Sequence, residues 1–153
     1  MFIDSIMKIM KKLSPYDTVI QEVLNVKKNE TVLIIANPAT SDIAQAFFSA
    51  VNEVKGKPTL IFQNDKTSFD NAEETVLAAI GTNPDVALSI SNVKLGKDPH
   101  AAAKPYKTED GSEYSHIFDY LLDGKKTMRS VWTPGITMDL LERTACIDYA
   151  ELT

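Results

Sequence analysis

The feature that most constrains the fold is an apolar run, Thr31-Val-Leu-Ile-Ile-Ala36, in which no polar residue alternates with the apolar ones. A strand with this pattern is covered on both faces, which is typical of a parallel sheet between two layers of helices. Asn37-Pro-Ala-Thr-Ser-Asp42 follows as a loop, and apolar residues then recur at helical spacing from Ile43 to Val54, up to Gly56. This stretch predicts a strand, a short loop and a helix, the repeating unit of an α/β fold.

The same order repeats along the chain. Further strands are predicted at 58–62, 85–90 and 127–132, with helices at 70–81 and 114–124 between them. Strands that alternate with helices indicate βαβ units. The sequence therefore predicts an α/β fold, with a three-layer, Rossmann-like, mainly parallel sheet of about four strands flanked by helices. No internal domain boundary is evident, so the whole range 1–153 is expected to form one domain.

Two other segments complete the outline. Ser14-Pro15-Tyr16-Asp17 predicts a helix start, because it offers a hydroxyl cap, a proline at the first helical position and a nearby carboxylate. The stretch 92–113 holds two glycines and two prolines among charged residues and shows no apolar period. It predicts a long loop, and long loops in compact domains tend to be functional or mobile.

Composition narrows the class of protein. A chain of 153 residues buries roughly 70% of its unfolded surface, so it can form a core without disulfides. Hydrophobic residues make up 44% and charged residues 24%, and no segment approaches the ~20 apolar residues that a membrane helix needs. The net charge of −5 disfavours nucleic-acid binding. A single cysteine, Cys146, excludes an internal disulfide, and we expect a cytoplasmic protein with no membrane partner.

Glycine-rich nucleotide motifs are absent from the sequence. The six glycines never form G-x-G, and no phosphate-cradling loop with a following lysine is present. A weaker hypothesis places a small-ligand or anion site at the strand ends, formed by Asn37, Thr40, Ser91 and Asn92. The first two residues are more simply explained as a loop and a helix cap.

Metal chemistry has few candidate ligands. His100 and His116 are the only histidines, and Glu113 with His116 makes one E-x-x-H step that would lie on one helical face. A two-metal site in a helical bundle needs two such steps and two more carboxylates. We therefore predict no catalytic residue, no metal ligand and no cofactor in this chain.

Three segments carry a resemblance to a known family. They are 32–48, VLIIANPATSDIAQAFF, the strand from Val86 to Ser91 with Asn92, and above all 132–152, WTPGITMDLLERTACIDYAEL. Together they resemble the N-terminal domain of the aminopeptidase T type of leucyl aminopeptidases, also called the thermophilic metallopeptidase family. The resemblance spans nearly the whole chain from about Ser14, and its most specific part is Pro-Gly-Ile-Thr.

The resemblance implies a function for a larger enzyme. In that family a second, C-terminal domain holds a two-metal aminopeptidase site of carboxylates and histidines, which uses zinc, cobalt or manganese. The sequence given ends at Thr153, where the family continues, so we expect the catalytic domain to lie beyond it. The expected role here is non-catalytic: packing against the metal-binding domain, helping to form a substrate cleft, or forming a homodimer. The chain alone is expected to be inactive.

Two alternatives from other classes stay open. The second hypothesis is a free-standing small-ligand or anion-binding module, and the third is a protein-interaction domain that uses the loop 93–113. The final segment is interpreted structurally: Trp132 anchors the last strand in the core, Pro134 and Gly135 form a turn, and Thr137 caps a helix. Under that interpretation the turn is the exit of the domain and not an active-site loop.

Overall fold

A computed structural model describes residues 14–132 of the chain. Its strands, in chain order, are β1 Thr31–Ala36, β2 Lys57–Phe62, β3 Val86–Ile90, β4 Tyr106–Lys107, β5 Glu113–Tyr114 and β6 Arg129–Trp132. Four of them form a sheet in the order β2-β1-β3-β6, and every neighbouring pair in it is parallel. The two short strands β4 and β5 form a separate antiparallel hairpin.

Helices cover both faces of the sheet. They are α1 Pro15–Thr18, which continues as a π turn over Val19–Val23, α2 Ser41–Glu53, α3 Glu74–Gly81, α4 Pro99–Ala103, and α5 Ile117–Asp119, which continues as a π turn over Tyr120–Gly124. Side chains of α1 and α2 pack on one face, and those of α3 and α5 pack on the other. The predicted three-layer α/β fold with a four-stranded parallel sheet is therefore confirmed.

β1 is the centre of both cores. Val32 and Ile34 point into the cluster formed with α1 and α2, whereas Leu33 and Ile35 point into the cluster formed with α3 and α5. All four side chains are buried, as the unbroken apolar run predicts. Burial of each such side chain contributes about 1.5–3 kcal/mol, so this one strand stabilises both layers of helices.

The first helix begins as its cap residues predict. The Ser14 hydroxyl accepts a hydrogen bond from the backbone N–H of Asp17 at 3.2 Å and donates one to the Asp17 carboxylate at 2.8 Å. Tyr16 then packs edge to face on the buried Phe47 ring, with centroids 5.1 Å apart. The capped turn thus fixes α1 against α2.

Two predicted helices end as wider turns than the spacing indicates. The Leu24 N–H bonds to the Val19 carbonyl, and the Lys125 N–H bonds to the Tyr120 carbonyl, each at 2.8 Å and each five residues apart. Asn25 and Lys126 follow with left-handed φ angles of 50° and 56°. Both ends therefore use the same π-type closure before the chain turns toward a strand, which apolar spacing alone does not reveal.

Three predicted boundaries were wrong. The helix predicted from residue 70 begins at Glu74, because Asp70 bonds to Thr67 in a turn and precedes the helix. Tyr114 lies in β5 and not at the start of a helix. The loop predicted over 92–113 contains α4 and the hairpin of β4 and β5.

The final predicted motif lies largely outside the described residues. Pro134, Gly135 and Thr137 are beyond residue 132, and the interpretation of the turn and its cap stays a prediction. Trp132 is the last residue of β6, and its backbone pairs in register with Ser89 of β3. Among residues 14–132, no helix has the length and apolar character to cross a membrane.

The side chain of Arg129 joins three segments at the amino ends of the strands. The guanidinium of Arg129, at the start of β6, donates to both carboxylate oxygens of Glu30, at 2.6 and 3.0 Å. It also donates to the Leu24 carbonyl at 3.0 Å, where the π turn of α1 ends. These hydrogen bonds from Arg129 are the main reason that the pKa of Glu30 lies below its ordinary value. The last strand is thereby linked to the first helix and the first strand.

Replacement of this arginine should destabilise the domain in a pH-dependent way. We expect Arg129→Ala to lower the free energy of unfolding by about 1 kcal/mol near neutral pH, because the pair is partly exposed. A lowered folded-state pKa of Glu30 stabilises the fold above the ordinary value of 4.5. That contribution is lost as the pH falls through the folded-state pKa. Urea unfolding across this range should show the difference from wild type shrinking in acid.

Lys107→Ala is the matched control for this prediction. Lys107 also pairs with a glutamate, Glu113, but at 3.3 Å with both side chains more than half exposed. Its loss should leave the unfolding free energy nearly unchanged. Equal effects of the two substitutions would contradict the role given to Arg129.

Candidate functional site

The carboxyl ends of β1 and β3 are where an α/β sheet usually binds ligands. The chain leaves β1 for α2 on one face, and it leaves β3 for segments that return on the opposite face. Such a divergence between neighbouring strands opens a crevice at the edge of the sheet. Asn37 directly follows β1, and Ser91 and Asn92 directly follow β3, so the predicted site residues do lie together at this position.

The Asn37 side chain fills that crevice. It is fully buried, and its amide nitrogen donates to the carbonyls of Gln63 at 2.9 Å and Asn64 at 3.3 Å. Its side-chain oxygen accepts from the backbone N–H of Asn92 at 2.6 Å. One amide therefore joins the chain segments that follow β1, β2 and β3.

The other three predicted residues are also held by neighbours. The Thr40 hydroxyl lies 2.7 Å from the Ile90 carbonyl and accepts from the Asn37 N–H at 3.1 Å. The Ser91 hydroxyl lies 3.0 Å from that of Ser89, and the Asn92 amide donates to Asp65 at 3.2 Å. The polar groups proposed for ligand binding thus make hydrogen bonds within the domain. Binding of a ligand by these four residues stays a prediction.

A larger opening lies beside the filled crevice. It is a cavity of about 710 Å³ between the turn that follows β2, the loop that follows β3, and α5. This volume is within the range of small-molecule pockets. Its apolar wall comes from five residues: Leu95, Pro99, Ala102, Phe118 and Leu122. Its polar rim includes Ser68, Asn71, Lys97, Ser115 and Asp119.

A buried carboxylate organises the wall of this cavity. Asp98 accepts hydrogen bonds from the backbone N–H groups of His100 and Ile117 and from the Tyr106 hydroxyl, at 2.9 to 3.0 Å. Burial, together with the bond to Asp98, raises the pKa of Tyr106 to about 12. The phenol therefore stays neutral and a donor at physiological pH. Asp98 in this way joins α4, the hairpin and α5.

Of the two histidines, only His116 lines this cavity. His116 caps α5: its Nδ1 accepts from the Phe118 N–H at 3.1 Å, and its Nε2 lies 2.9 Å from the Gly96 carbonyl. The proposed common helical face with Glu113 was wrong, because Glu113 lies in β5 and pairs with Lys107. His100 is exposed and pairs with Glu74 at 2.8 Å, which raises the pKa of His100.

Metal ligands do not gather in the part of the chain that is described. Between residues 14 and 132, no group of three or more His, Cys, Asp or Glu side chains is arranged to hold a metal ion. Cys146 lies outside this range. The described residues therefore offer hydrogen-bonded loops and an apolar cavity in place of a ligand cluster.

Close packing of two loops sets the shape of the cavity. Residue 66 pairs with residue 94, and residue 71 with residue 97, as isolated bridges between the turn after β2 and the loop after β3. Gly96 has a φ of 105°, and a Cβ atom there would lie 2.5 Å from the backbone nitrogen of Ala72. Only glycine permits so close an approach of the two chains.

Sequence reasoning missed the residues that build this cavity. Asp98-Pro99 is a helix-start signal within a stretch interpreted as loop, and it would have identified α4. Gln63 occupies the same position after β2 as Asn37 does after β1, and it bridges the Leu95 carbonyl at 2.7 Å and the Glu73 N–H at 3.1 Å. Gln63, at the carboxyl end of β2, could therefore have been predicted as a bridging residue from its position after a strand.

Comparison with known proteins adds no family assignment. No family model matches the chain, and no curated protein matches it.

Loss of the bridging amide should strongly destabilise the domain. We expect Asn37→Ala to lower the free energy of unfolding by about 2–4 kcal/mol, because it leaves the Gln63 carbonyl and the Asn92 N–H without their partner. Chemical denaturation followed by circular dichroism measures this change. Asn64→Ala is the control, since the exposed Asn64 contributes only its backbone carbonyl to the bridge. A small effect of Asn37→Ala would contradict the bridging role.

Removal of the buried carboxylate should loosen the cavity wall. Asp98→Ala is expected to cost about 2–4 kcal/mol, since three donors lose a charged acceptor. Asp119→Ala changes an exposed carboxylate on the same cavity and should stay within about 0.5 kcal/mol of wild type. Hydrogen exchange of the Ile117 and His100 amides should increase in the first variant alone. Unchanged exchange in Asp98→Ala would contradict the assignment.

Proposed function

We propose that this chain is a non-catalytic α/β domain of an aminopeptidase T-like metallopeptidase, with a scaffolding role in forming a substrate cleft or a dimer. The observation that carries the proposal is the filled crevice at the carboxyl ends of β1 and β3. Asn37 occupies the position where this type of sheet usually holds a ligand, and its amide is used to join three chain segments.

The hydrogen bonding of two titratable side chains in the cavity lining supports this role. Asp98 accepts three hydrogen bonds from the domain itself, and His116 uses both ring nitrogens to cap α5 and contact Gly96. A catalytic acid, base or nucleophile needs an atom free to reach a substrate. These two groups instead stabilise the loops around the cavity.

Two of the segments that resemble aminopeptidase T-type enzymes support this family. The segment 32–48 forms β1, the loop with Asn37 and the first part of α2, and Val86–Ile90 forms β3. Both segments lie at the centre of the sheet. A catalytic partner domain would supply the carboxylate and histidine ligands and the divalent metal, which is zinc, cobalt or manganese in the resembled family.

The alternative of an anion-binding module has less support. Its four residues lie together, but the hydrogen-bonding atoms of Asn37 and Thr40 are used by Gln63, Ile90 and Asn92. An anion at this position would have to displace those bonds, at the full cost of leaving buried groups unpaired.

Activity of the isolated chain tests the non-catalytic role. We expect no hydrolysis of leucyl p-nitroanilide by residues 1–153, with or without added zinc, cobalt or manganese. An aminopeptidase T-type enzyme serves as the positive control for each metal. Turnover that rises in proportion to the concentration of the purified chain, and that survives repurification, would contradict the proposal.

Association with a catalytic domain tests the family assignment. The metal-binding half of an aminopeptidase T-type enzyme, produced separately, should bind the chain in calorimetry. The Asn37→Ala chain, measured at a temperature at which it is unfolded, is the control, because any heat it gives reports non-specific binding. Absence of binding by a folded chain would count against the family, while leaving the fold and the assay of the isolated chain unaffected.

A further inference from the structure

An exposed phenylalanine stands at the rim of the cavity. Phe69 is 86% exposed, the largest exposure of any large hydrophobic side chain between residues 14 and 132. Its neighbours Thr67 and Ser68 line the cavity. A knob and a hole, both apolar, therefore lie next to one another on a single face of the domain.

The turn that carries Phe69 is held by its own hydrogen bonds. The Asp70 carboxylate accepts from the Thr67 N–H and hydroxyl, at 2.8 and 2.9 Å. The Phe69 N–H donates to the Thr67 hydroxyl at 3.2 Å, and the bridges at residues 66 and 71 attach both ends of the turn to the loop after β3. The ring is thus presented to solvent by a preorganised turn, which lowers the entropy lost on binding.

Part of the cavity wall is formed by apolar side chains. The buried Leu95 and Phe118 and the half-buried Leu122 form part of it, and the exposed Ala102 also lines it. An aromatic anchor that enters such a pocket is the usual centre of a protein interface.

We propose that two copies of this chain associate through this face, with Phe69 of each copy entering the cavity of the other. A two-fold interface needs one patch that is complementary to itself, and a knob adjacent to a hole satisfies that condition. The inference deepens the dimer-forming part of the proposed function by naming the surface.

The charges around the patch are compatible with a second copy as the occupant. Both signs occur on this face, so that a two-fold contact need not oppose like charges. The charged side chains that line the cavity are two cations, Lys94 and Lys97, and two anions, Asp98 and Asp119. Although the chain has a net charge of −5, this face is balanced. A strongly charged partner would find less complementarity here than a second copy does.

Pairing through β2, one edge strand of the sheet, is a less suitable route to a dimer. The backbone N–H groups of Lys57 and Gln63 donate to carbonyls of the chain at β1. Because N–H groups alternate in direction along a strand, those at positions 58, 60 and 62 of β2 point away from β1. Pro58 has no N–H to donate at the first of these positions. The edge of β2 therefore lacks one of its outward donors.

Sedimentation velocity of the full 153-residue chain over a micromolar concentration series tests the proposal. We expect a reversible monomer–dimer equilibrium for wild type. Phe69→Ser should weaken the dimer by roughly 30-fold or more, as is usual for an interface anchor. Val23→Ser is the matched control, because Val23 is 43% exposed on α1, and it should leave the equilibrium unchanged.

A second variant tests the hole independently. Ala102→Trp adds a large side chain at an exposed position on the cavity and should also prevent dimerisation while retaining the thermal stability of the fold. A mixture of Ala102→Trp and Phe69→Ser chains keeps one intact knob and one intact hole. This mixture should form a heterodimer, detectable by labelling one variant, although neither variant dimerises alone.

Several results would overturn the proposal. A wild-type chain that stays monomeric throughout the series excludes a self-association surface, whether or not the cavity then binds a small apolar molecule or another protein. A dimer that persists in Phe69→Ser, or a mixture that does not recover dimer when both variants are folded, excludes the reciprocal contact. The isolated-chain peptidase assay is independent of all these outcomes, so failure of the dimer and failure of the proposed function are distinguishable.

Discussion

The hydrogen bonds of one buried amide connect the central elements of this domain. Asn37 lies directly after β1. Its side chain donates to the segment that follows β2 and accepts from the segment that follows β3. Three parallel strands are thereby fixed relative to one another at their carboxyl ends, where parallel sheets otherwise diverge into separate loops. The same amide occupies the volume that would receive a ligand. In this position, stabilisation of the sheet and binding of a ligand compete for the same donor and acceptor atoms.

Much of the sheet could be predicted because burial imposes simple rules on sequence. The apolar run of β1 requires cover on both faces, and the structure supplies that cover from two different helical layers. The loop after β3 could not be predicted in this way. Its order depends on Asp98, whose partners are Tyr106 and Ile117, eight and nineteen residues later. No periodic pattern in the sequence reports a contact between a carboxylate and donors at such irregular distances.

In the candidate site, too, some features could be predicted from the sequence and others could not. The residues Asn37, Ser91 and Asn92 were found because they follow strands, and the carboxyl ends of parallel strands meet at one edge. Their hydrogen-bonding state could not be found, since it depends on the carbonyl of Gln63 and on the return of the chain from β2. Phe69 gave no signal at all, because an isolated aromatic residue in a polar stretch is consistent with either a buried or an exposed position.

These two outcomes have a common physical consequence. Polar groups at the sheet edge are satisfied within the domain, whereas the Phe69 ring beside them is 86% exposed to water and Leu95 and Phe118 of the cavity wall are largely buried. Contact of a second copy with this edge would therefore gain free energy mainly by removing the Phe69 ring from water. Because the turn carrying Phe69 is already ordered by Asp70, little of that free energy is lost in fixing the ring.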